Sequence, residues 1–195
     1  MDLRALTPTY AVSPQIQPQD LPLLKAAGYV TVIDNRPDGE IPPQLHTAVM
    51  RAAAEALGLT FVSNPVIGGA LTMDNVLSQR AAIEASPGPV FAYCASGNRS
   101  SVVWALANAG KLPADQMIDA AARYGYNLDH LRPQIAALAA TTRVFAVDMP
   151  GHGRSSPLPQ GASLPDYVDW AARVITALGV GTVNVAGHSD RKSVV

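Results

Sequence analysis

The 195-residue sequence contains a single cysteine, Cys94, and this scarcity excludes several kinds of structure. One cysteine cannot form a disulfide within the chain, and it disfavours a cysteine-based zinc site. Charged residues make up only 15% of the chain, the formal net charge is −1, and lysine and arginine form no basic run. Because nucleic-acid binding depends on clustered cations, we expect no nucleic-acid partner.

Long apolar runs are absent as well. No stretch approaches the roughly 20 apolar residues that are needed to cross a bilayer. The first residues lack the basic segment and apolar run of a secretory signal. We therefore expect a soluble, cytoplasmic protein that makes no membrane contact. Apolar residues still make up 48% of the chain, which is enough to bury a core.

Short β-type runs alternate with longer segments rich in alanine and leucine. Strands are predicted at residues 9–13, 29–35, 59–64 and 88–94. Helices are predicted at residues 19–28, 44–58, 72–85, 99–110, 113–124 and 129–140. This alternation favours an α/β fold in which helices cover a parallel sheet. In such folds, binding sites form beyond the carboxyl ends of the strands.

The loop that follows the strand at 88–94 carries the main candidate for catalysis. Cys94 and Arg99 are the catalytic candidates, and the anion-binding candidates around them are Ala95, Ser96, Gly97, Asn98 and Ser100. A glycine allows a tight turn, successive amides form an anion-binding nest, and the next helix directs its positive end to the same place. The guanidinium of Arg99 adds a fixed charge. These features favour a reactive thiolate and disfavour a buried structural cysteine.

The spacing between Cys94 and Arg99 separates two kinds of chemistry. Tyrosine-type phosphatases resemble Cys-x5-Arg, whereas rhodanese-type sulfurtransferases resemble Cys-x4-Arg. Four residues separate Cys94 from Arg99, so the sequence YCASGNRSS is very similar to the rhodanese pattern. Tyr93 stands where phosphatases usually have a histidine, which also disfavours the phosphatase interpretation.

Candidates for a supporting role are few. A phosphatase needs a general acid for the leaving oxygen, and Asp38 and Asp74 are the carboxylates in suitable loops. Neither lies in a convincing acid-loop motif. Asp38 and Glu40 also fit as ordinary turn residues, and Asp74 fits the first turn of a helix. Arg36 either faces the site or pairs with Asp38.

Residues 1–139 resemble throughout the phosphatase-like domain of the beta-lactamase hydrolase-like proteins. The matching stretches are residues 6–16, 35–40, 68–72, 93–100 and 121–128. This resemblance implies a tyrosine-phosphatase-like fold. Some members are fused to metallo-β-lactamase-fold enzymes of sulfide detoxification, so the resemblance also implies sulfur transfer and a persulfide-handling partner of that kind.

The pattern restarts after Ala140, with strands predicted at 142–150 and 182–187 and a helix at 164–179. Residues 142–157 and 183–189 resemble α/β-hydrolases. The nucleophile elbow of that family is Gly-x-Ser-x-Gly, but here Asp190 and Arg191 follow Ser189 and the second glycine is missing. We therefore interpret residues 140–189 as an incomplete hydrolase-like fragment. Residues 190–195 read as a non-native tail, because their back-translation resembles a sequencing adapter.

Three functions remain in competition. The first is a sulfurtransferase in which Cys94 carries a persulfide, with small sulfur donors and thiol acceptors as partners. The second is a phosphatase with a Cys94-phosphate intermediate. The third is an inactive module that binds an anion without turnover. None of the three requires a metal or a cofactor.

Overall fold

A computed structural model describes residues 1–140, 150, 156–159 and 161–177 of the chain. The chain divides into two compact units, Met1–Arg143 and Val144–Val195. The first unit contains strands β1 (Arg4–Thr7), β2 (Tyr10–Ser13), β3 (Thr31–Asp34), β4 (Thr60–Ser63) and β5 (Val90–Tyr93). Its helices are α1 (Leu21–Ala26), α2 (Thr47–Ala56), α3 (Met73–Ala85), α4 (Asn98–Ala107), α5 (Ala114–Ala122) and α6 (Arg132–Ala140).

The five strands form one mixed sheet in the order β1-β2-β5-β3-β4. Strands β2, β5, β3 and β4 run parallel to one another, as the sequence predicts. Strand β1, which lies outside the predicted strands, pairs antiparallel with β2 at the edge and makes the sheet mixed. The four residues of β1, RALT, carry no β-branched run, so the sequence does not predict this strand.

Helices cover both faces of the sheet. Along β5, Phe91 and Tyr93 pack on one face with α1 and α2, while Val90 and Ala92 pack on the other with α3 to α6. This alternation follows from the two-residue repeat of a strand. Because β3 and β5 are parallel neighbours, their carboxyl ends lie at the same edge, with Asp34 opposite Tyr93. The loops that follow these two strands are therefore brought together.

The second unit contains one described helix, α7 (Leu164–Ala177), on which Leu164 and Val168 are exposed. The strands predicted at 142–150 and 182–187 lie outside the described residues, apart from Pro150. Ser189 and the tail at 190–195 lie outside them too. No helix in the described part of the chain is long and apolar enough to cross a membrane.

Candidate active site

Cys94 lies directly after β5, at the base of the loop that leads into α4. Its side chain is fully buried, and its backbone N–H donates to the carbonyl of Ser13 on β2 at 3.4 Å. The loop turns at Gly97, whose φ of 89° lies in the left-handed region that glycine adopts without strain. The backbone N–H of Gly97 donates to Cys94 Sγ at 3.1 Å. The sulfur therefore lies beneath an amide donor at the amino end of a ten-residue helix.

The other loop residues divide into exposed and buried positions. Ala95, Ser96 and Asn98 are exposed, whereas Gly97 is buried. Ser101 secures the turn, because its hydroxyl donates to the Gly97 carbonyl at 2.9 Å. The hydroxyl of Ser100 is buried and has no hydrogen-bond partner among the described residues. It is therefore free to donate to a charge that forms in the loop.

Arg99 is held from outside the loop by Glu40. Its Nη1 and Nη2 donate to the two carboxylate oxygens of Glu40 at 2.8 and 2.7 Å, and Nη1 also donates to the Val66 carbonyl at 2.6 Å. The bond to Glu40 is the main reason that the pKa of Arg99 is raised, and Cys94 makes a smaller contribution in the same direction. A guanidinium has five N–H donors. Nε–H and one Nη2–H remain after the contacts with Glu40 and Val66, and these two donors can serve Cys94 or two oxygens of a bound anion.

Arg36 reaches the site through the same carboxylate. Its Nε lies 3.0 Å from Glu40 Oε2, and its Nη2 donates to the Glu40 carbonyl at 3.1 Å. Arg36 was expected either to face the site or to pair with Asp38, and it pairs with Glu40 instead of Asp38. Glu40 therefore lies between two arginines, and Arg99 is the main cause of its lowered pKa.

Asp38 and Asp74 both lie at the starts of helices. Asp38 Oδ1 accepts from the Thr47 N–H at 2.7 Å and from the Thr47 hydroxyl at 2.9 Å, at the start of α2. The Thr47 backbone bond is the main cause of the lowered pKa of Asp38. Asp74 is exposed in the first turn of α3 and makes no side-chain hydrogen bond to the described residues. Both carboxylates thus serve helix starts.

A buried carboxyl that the sequence analysis missed lies behind the loop. Asp34 is the last residue of β3 and is fully buried. It accepts from the Arg36 N–H at 2.8 Å and from the Thr47 hydroxyl at 3.3 Å. Burial raises its pKa from 3.8 to about 6. The neighbouring Tyr93 hydroxyl is also buried, and burial raises its pKa strongly.

An amide network fixes the segment after β4. Gln79 Oε1 accepts from Asn35 Nδ2 at 3.0 Å and from Asn64 Nδ2 at 2.8 Å, while Gln79 Nε2 donates to the Tyr10 hydroxyl at 2.7 Å. The N–H of Val66 donates to the Asn35 carbonyl at 3.1 Å. The Val66 carbonyl that contacts Arg99 is therefore anchored to the sheet. No three metal-ligating side chains come together within the described ranges.

Comparisons with known proteins agree with this architecture. Residues 2–111 match the family model of the beta-lactamase hydrolase-like protein, phosphatase-like domain. A putative phosphatase of Neisseria meningitidis is 31% identical, with a TM-score of 0.60, over 71% of this chain and 99% of that one. The phosphatase Tk-PTP, in its active form, has a TM-score of 0.56 at 17% identity, over 71% of this chain and 96% of its own, which shows a shared fold.

Curated relatives match only parts of the chain. The beta-lactamase hydrolase-like protein of Agrobacterium fabrum is 32% identical over 122 residues, which are 62% of this chain and 28% of that protein. Residues 122–189 match the alpha/beta hydrolase fold model. A hydrolase of Acinetobacter baylyi that acts on (E)-2-((N-methylformamido)methylene)succinate is 49% identical over 57 residues, 29% of this chain and 22% of its own length. The chain thus spans about a quarter of the length of these relatives.

Proposed function

This chain belongs to the family of the phosphatase-like domain of beta-lactamase hydrolase-like proteins, and on that premise we propose that it is a cysteine-dependent phosphatase with Cys94 as its nucleophile. The contact that carries the proposal is the Gly97 N–H donating to Cys94 Sγ at 3.1 Å. It supports a thiolate at the centre of an anion-binding loop. The Arg99 donors that Glu40 and Val66 do not take suit two oxygens of a phosphate group there.

The reaction takes place in two steps. The Cys94 thiolate attacks phosphorus, a sulfur–phosphorus bond forms, and the bond to the leaving oxygen breaks with its electron pair on that oxygen. Water then attacks the phosphocysteine, which releases inorganic phosphate, restores the thiolate and gives up one proton to solvent. These Arg99 donors and the loop amides stabilise the charge that moves onto the phosphate oxygens.

The surroundings of the loop favour substrates with good leaving groups. Residues 64–72, which run from β4 to α3 beside Arg99, contain no aspartate or glutamate. Glu40 is bound to Arg99, Asp38 is bound to Thr47, and Asp34 is buried. None of these three carboxyl groups is free to protonate the leaving oxygen, so we expect an aryl phosphate to be a better substrate than an alkyl phosphate.

Sulfur transfer is the second candidate, favoured by the four-residue spacing between Cys94 and Arg99. In this reaction the thiolate attacks the outer sulfur of thiosulfate, the sulfur–sulfur bond breaks, and sulfite leaves with the electron pair. A second thiolate then takes that sulfur from the Cys94 persulfide. Neither step requires a general acid, so this reaction does not depend on a free carboxyl group near the loop. A metallo-β-lactamase-fold enzyme that handles persulfides would be a suitable partner for this reaction.

Mass spectrometry of the trapped intermediate distinguishes the candidates. The full chain is incubated with an aryl phosphate, with thiosulfate or with glutathione persulfide, and is then quenched in acid. We expect one phosphoryl group on Cys94 from the aryl phosphate, and none in Cys94→Ser. One added sulfur atom with no phosphoryl adduct would replace the phosphatase proposal by sulfur transfer. Binding of phosphate without either adduct would leave only an anion-binding module.

A further inference from the structure

The peptide between Ser96 and Gly97 is held on both of its sides. Its N–H, which belongs to Gly97, donates to Cys94 Sγ at 3.1 Å. Its carbonyl, which belongs to Ser96, accepts from the Tyr126 hydroxyl at 2.7 Å and from Arg4 Nη1 at 3.3 Å. A trans peptide directs its N–H and its C=O to opposite sides. Holding the carbonyl away from the sulfur therefore directs the N–H towards it.

The two residues that hold the carbonyl come from opposite ends of the first unit. Arg4 lies on the edge strand β1, and Tyr126 follows α5. Arg4 also donates to the Tyr126 hydroxyl, and its guanidinium carbon lies 5.1 Å from the centre of the Tyr126 ring. Asp2 fixes Arg4 from behind, by accepting from its Nε at 3.0 Å. Tyr126 is only 6% exposed. The Tyr126 and Arg4 side chains that hold the Ser96 carbonyl are thus themselves held in place, Tyr126 by burial and Arg4 by its pairing with Asp2.

Local geometry alone does not set the orientation of this peptide. Turning it over requires changes mainly in ψ of Ser96 and φ of Gly97, and glycine adopts both signs of φ with similar ease. In the turned orientation the Ser96 carbonyl would face the sulfur and disfavour a thiolate. A side chain at position 97 would restrict this rotation. No side chain fits there, however, because even a methyl group would collide with the Tyr126 hydroxyl. The orientation must therefore be held from outside the loop.

We propose that Tyr126, supported by Arg4, is a positioning residue that holds the Ser96–Gly97 peptide with its N–H towards Cys94. The hydroxyl stabilises the Cys94 thiolate through this peptide rather than by touching the reacting atoms. Burial raises the pKa of Tyr126, and the charge of Cys94 is among the smaller contributors, as expected for a hydroxyl beside the loop. The inference rests on the proposed thiolate at Cys94, but it is independent of whether phosphate or sulfur is transferred.

The ultraviolet absorbance of the thiolate tests this directly, because the chain has only one cysteine. The pH midpoint of thiolate formation is taken as the difference between each variant and the same variant carrying Cys94→Ser. In Tyr126→Phe we expect the midpoint to rise by about one pH unit, since one oriented dipole is lost. Arg4→Met should raise it less. Tyr124→Phe, at an exposed tyrosine two residues away, should leave it unchanged.

A second measurement follows the peptide itself. In the wild-type chain, the amide resonance of Gly97 should shift with the titration of Cys94, and in Tyr126→Phe this coupling should weaken. A purely structural role for Tyr126 predicts a lower Tm with an unchanged midpoint, and that result would overturn the inference. If Tyr126→Phe does not fold, an unchanged midpoint in Arg4→Met or an uncoupled Gly97 amide in the wild type would overturn it.

The outcome is separable from the proposed function. A chain that forms no adduct with any donor, yet shows the expected shift in Tyr126→Phe, would refute the catalytic proposal and support the positioning role. If instead the Cys94 adduct forms equally well in the Tyr126 and Arg4 variants and the midpoints are unchanged, the catalytic proposal is supported and the positioning role is refuted.

Discussion

Glu40 binds Arg99 end-on, with both carboxylate oxygens within 2.8 Å of the two Nη atoms. This pairing holds the two Nη groups on the side of Glu40, while Cys94 also contributes to the raised pKa of Arg99. Glu40→Gln removes the charge and one acceptor, so Arg99 should lose its fixed orientation. We expect kcat/KM to fall on the order of ten- to a hundred-fold, because small misplacements of a catalytic group are costly.

The matched control for Glu40→Gln is Glu55→Gln. Glu55 is exposed on α2, where it lies 3.7 Å from Arg51. This substitution should leave the kinetics unchanged. Equal losses in both variants, or none in Glu40→Gln, would show that Glu40 does not orient Arg99.

The buried carboxyl group of Asp34 should make the stability of the fold depend on pH. Burial raises its pKa from 3.8 to about 6, so between these values the folded chain holds a proton that the unfolded chain has released. The free energy of unfolding should therefore fall as the pH rises through this window. Asp34→Asn does not titrate and keeps an acceptor for the Arg36 N–H. Relative to wild type it should gain about 1–3 kcal/mol between pH 4 and pH 7.

Urea unfolding at a series of pH values measures this difference. Asp119→Asn, at an exposed position on α5, is the control and should show no such gain. A stability difference between Asp34→Asn and wild type that does not change with pH would contradict the assignment of the titration to Asp34.

Gln79 should be important for stability, because its side chain joins three partners in a buried network. Gln79→Leu leaves the Asn64 and Asn35 amides each without one acceptor. Unsatisfied buried donors cost about 1–3 kcal/mol, so we expect a loss of that size in the free energy of unfolding. The exposed neighbour Ser78 offers the control Ser78→Ala, which should be nearly neutral. A loss below about 0.5 kcal/mol in Gln79→Leu would mean that water replaces the amide.

The boundary near residue 140 can be tested by truncation. The hydrolase-fold match begins at residue 122, yet Tyr126 contacts the cysteine loop and Ile135 packs in the core of the first unit. We therefore expect a chain that ends at Ala140 to fold alone, with cooperative unfolding seen by circular dichroism. We also expect no esterase activity from residues 140–189. Activity that disappears in Ser189→Ala and persists in Cys94→Ser would contradict this.

The cysteine loop could be located from the sequence, because its parts are contiguous. Glycine, the helix start and Arg99 follow Cys94 within five residues, and the β-branched runs predict β3 and β4 well. Glu40 could not be assigned in this way. It lies 59 residues before Arg99, and local turn chemistry explains its presence equally well. Only the pairing of β3 with β5 brings the two loops together.

The same limit applies to Arg4 and Tyr126, which are separated by 122 residues and meet at the Ser96 carbonyl. The segment containing Tyr126 resembles the family, but that resemblance does not show what its hydroxyl contacts. The edge strand that carries Arg4 is four residues long and has no alternating pattern. Gly97 carried the only sequence signal of this contact, since a glycine at a helix start indicates that another group approaches the backbone closely.

The length of the cysteine loop should influence whether the chain transfers a phosphoryl group or a sulfur atom. Four residues separate Cys94 from Arg99, so the loop amides lie closer together than in a loop with one more residue. Inserting a glycine between Asn98 and Arg99 should widen the ring and raise kcat/KM for a phosphotyrosine peptide relative to thiosulfate. The same insertion after Gly161, in the second unit, should change neither. Both activities should disappear in Cys94→Ser. If the insertion lowers the two activities equally, loop width does not determine which group is transferred.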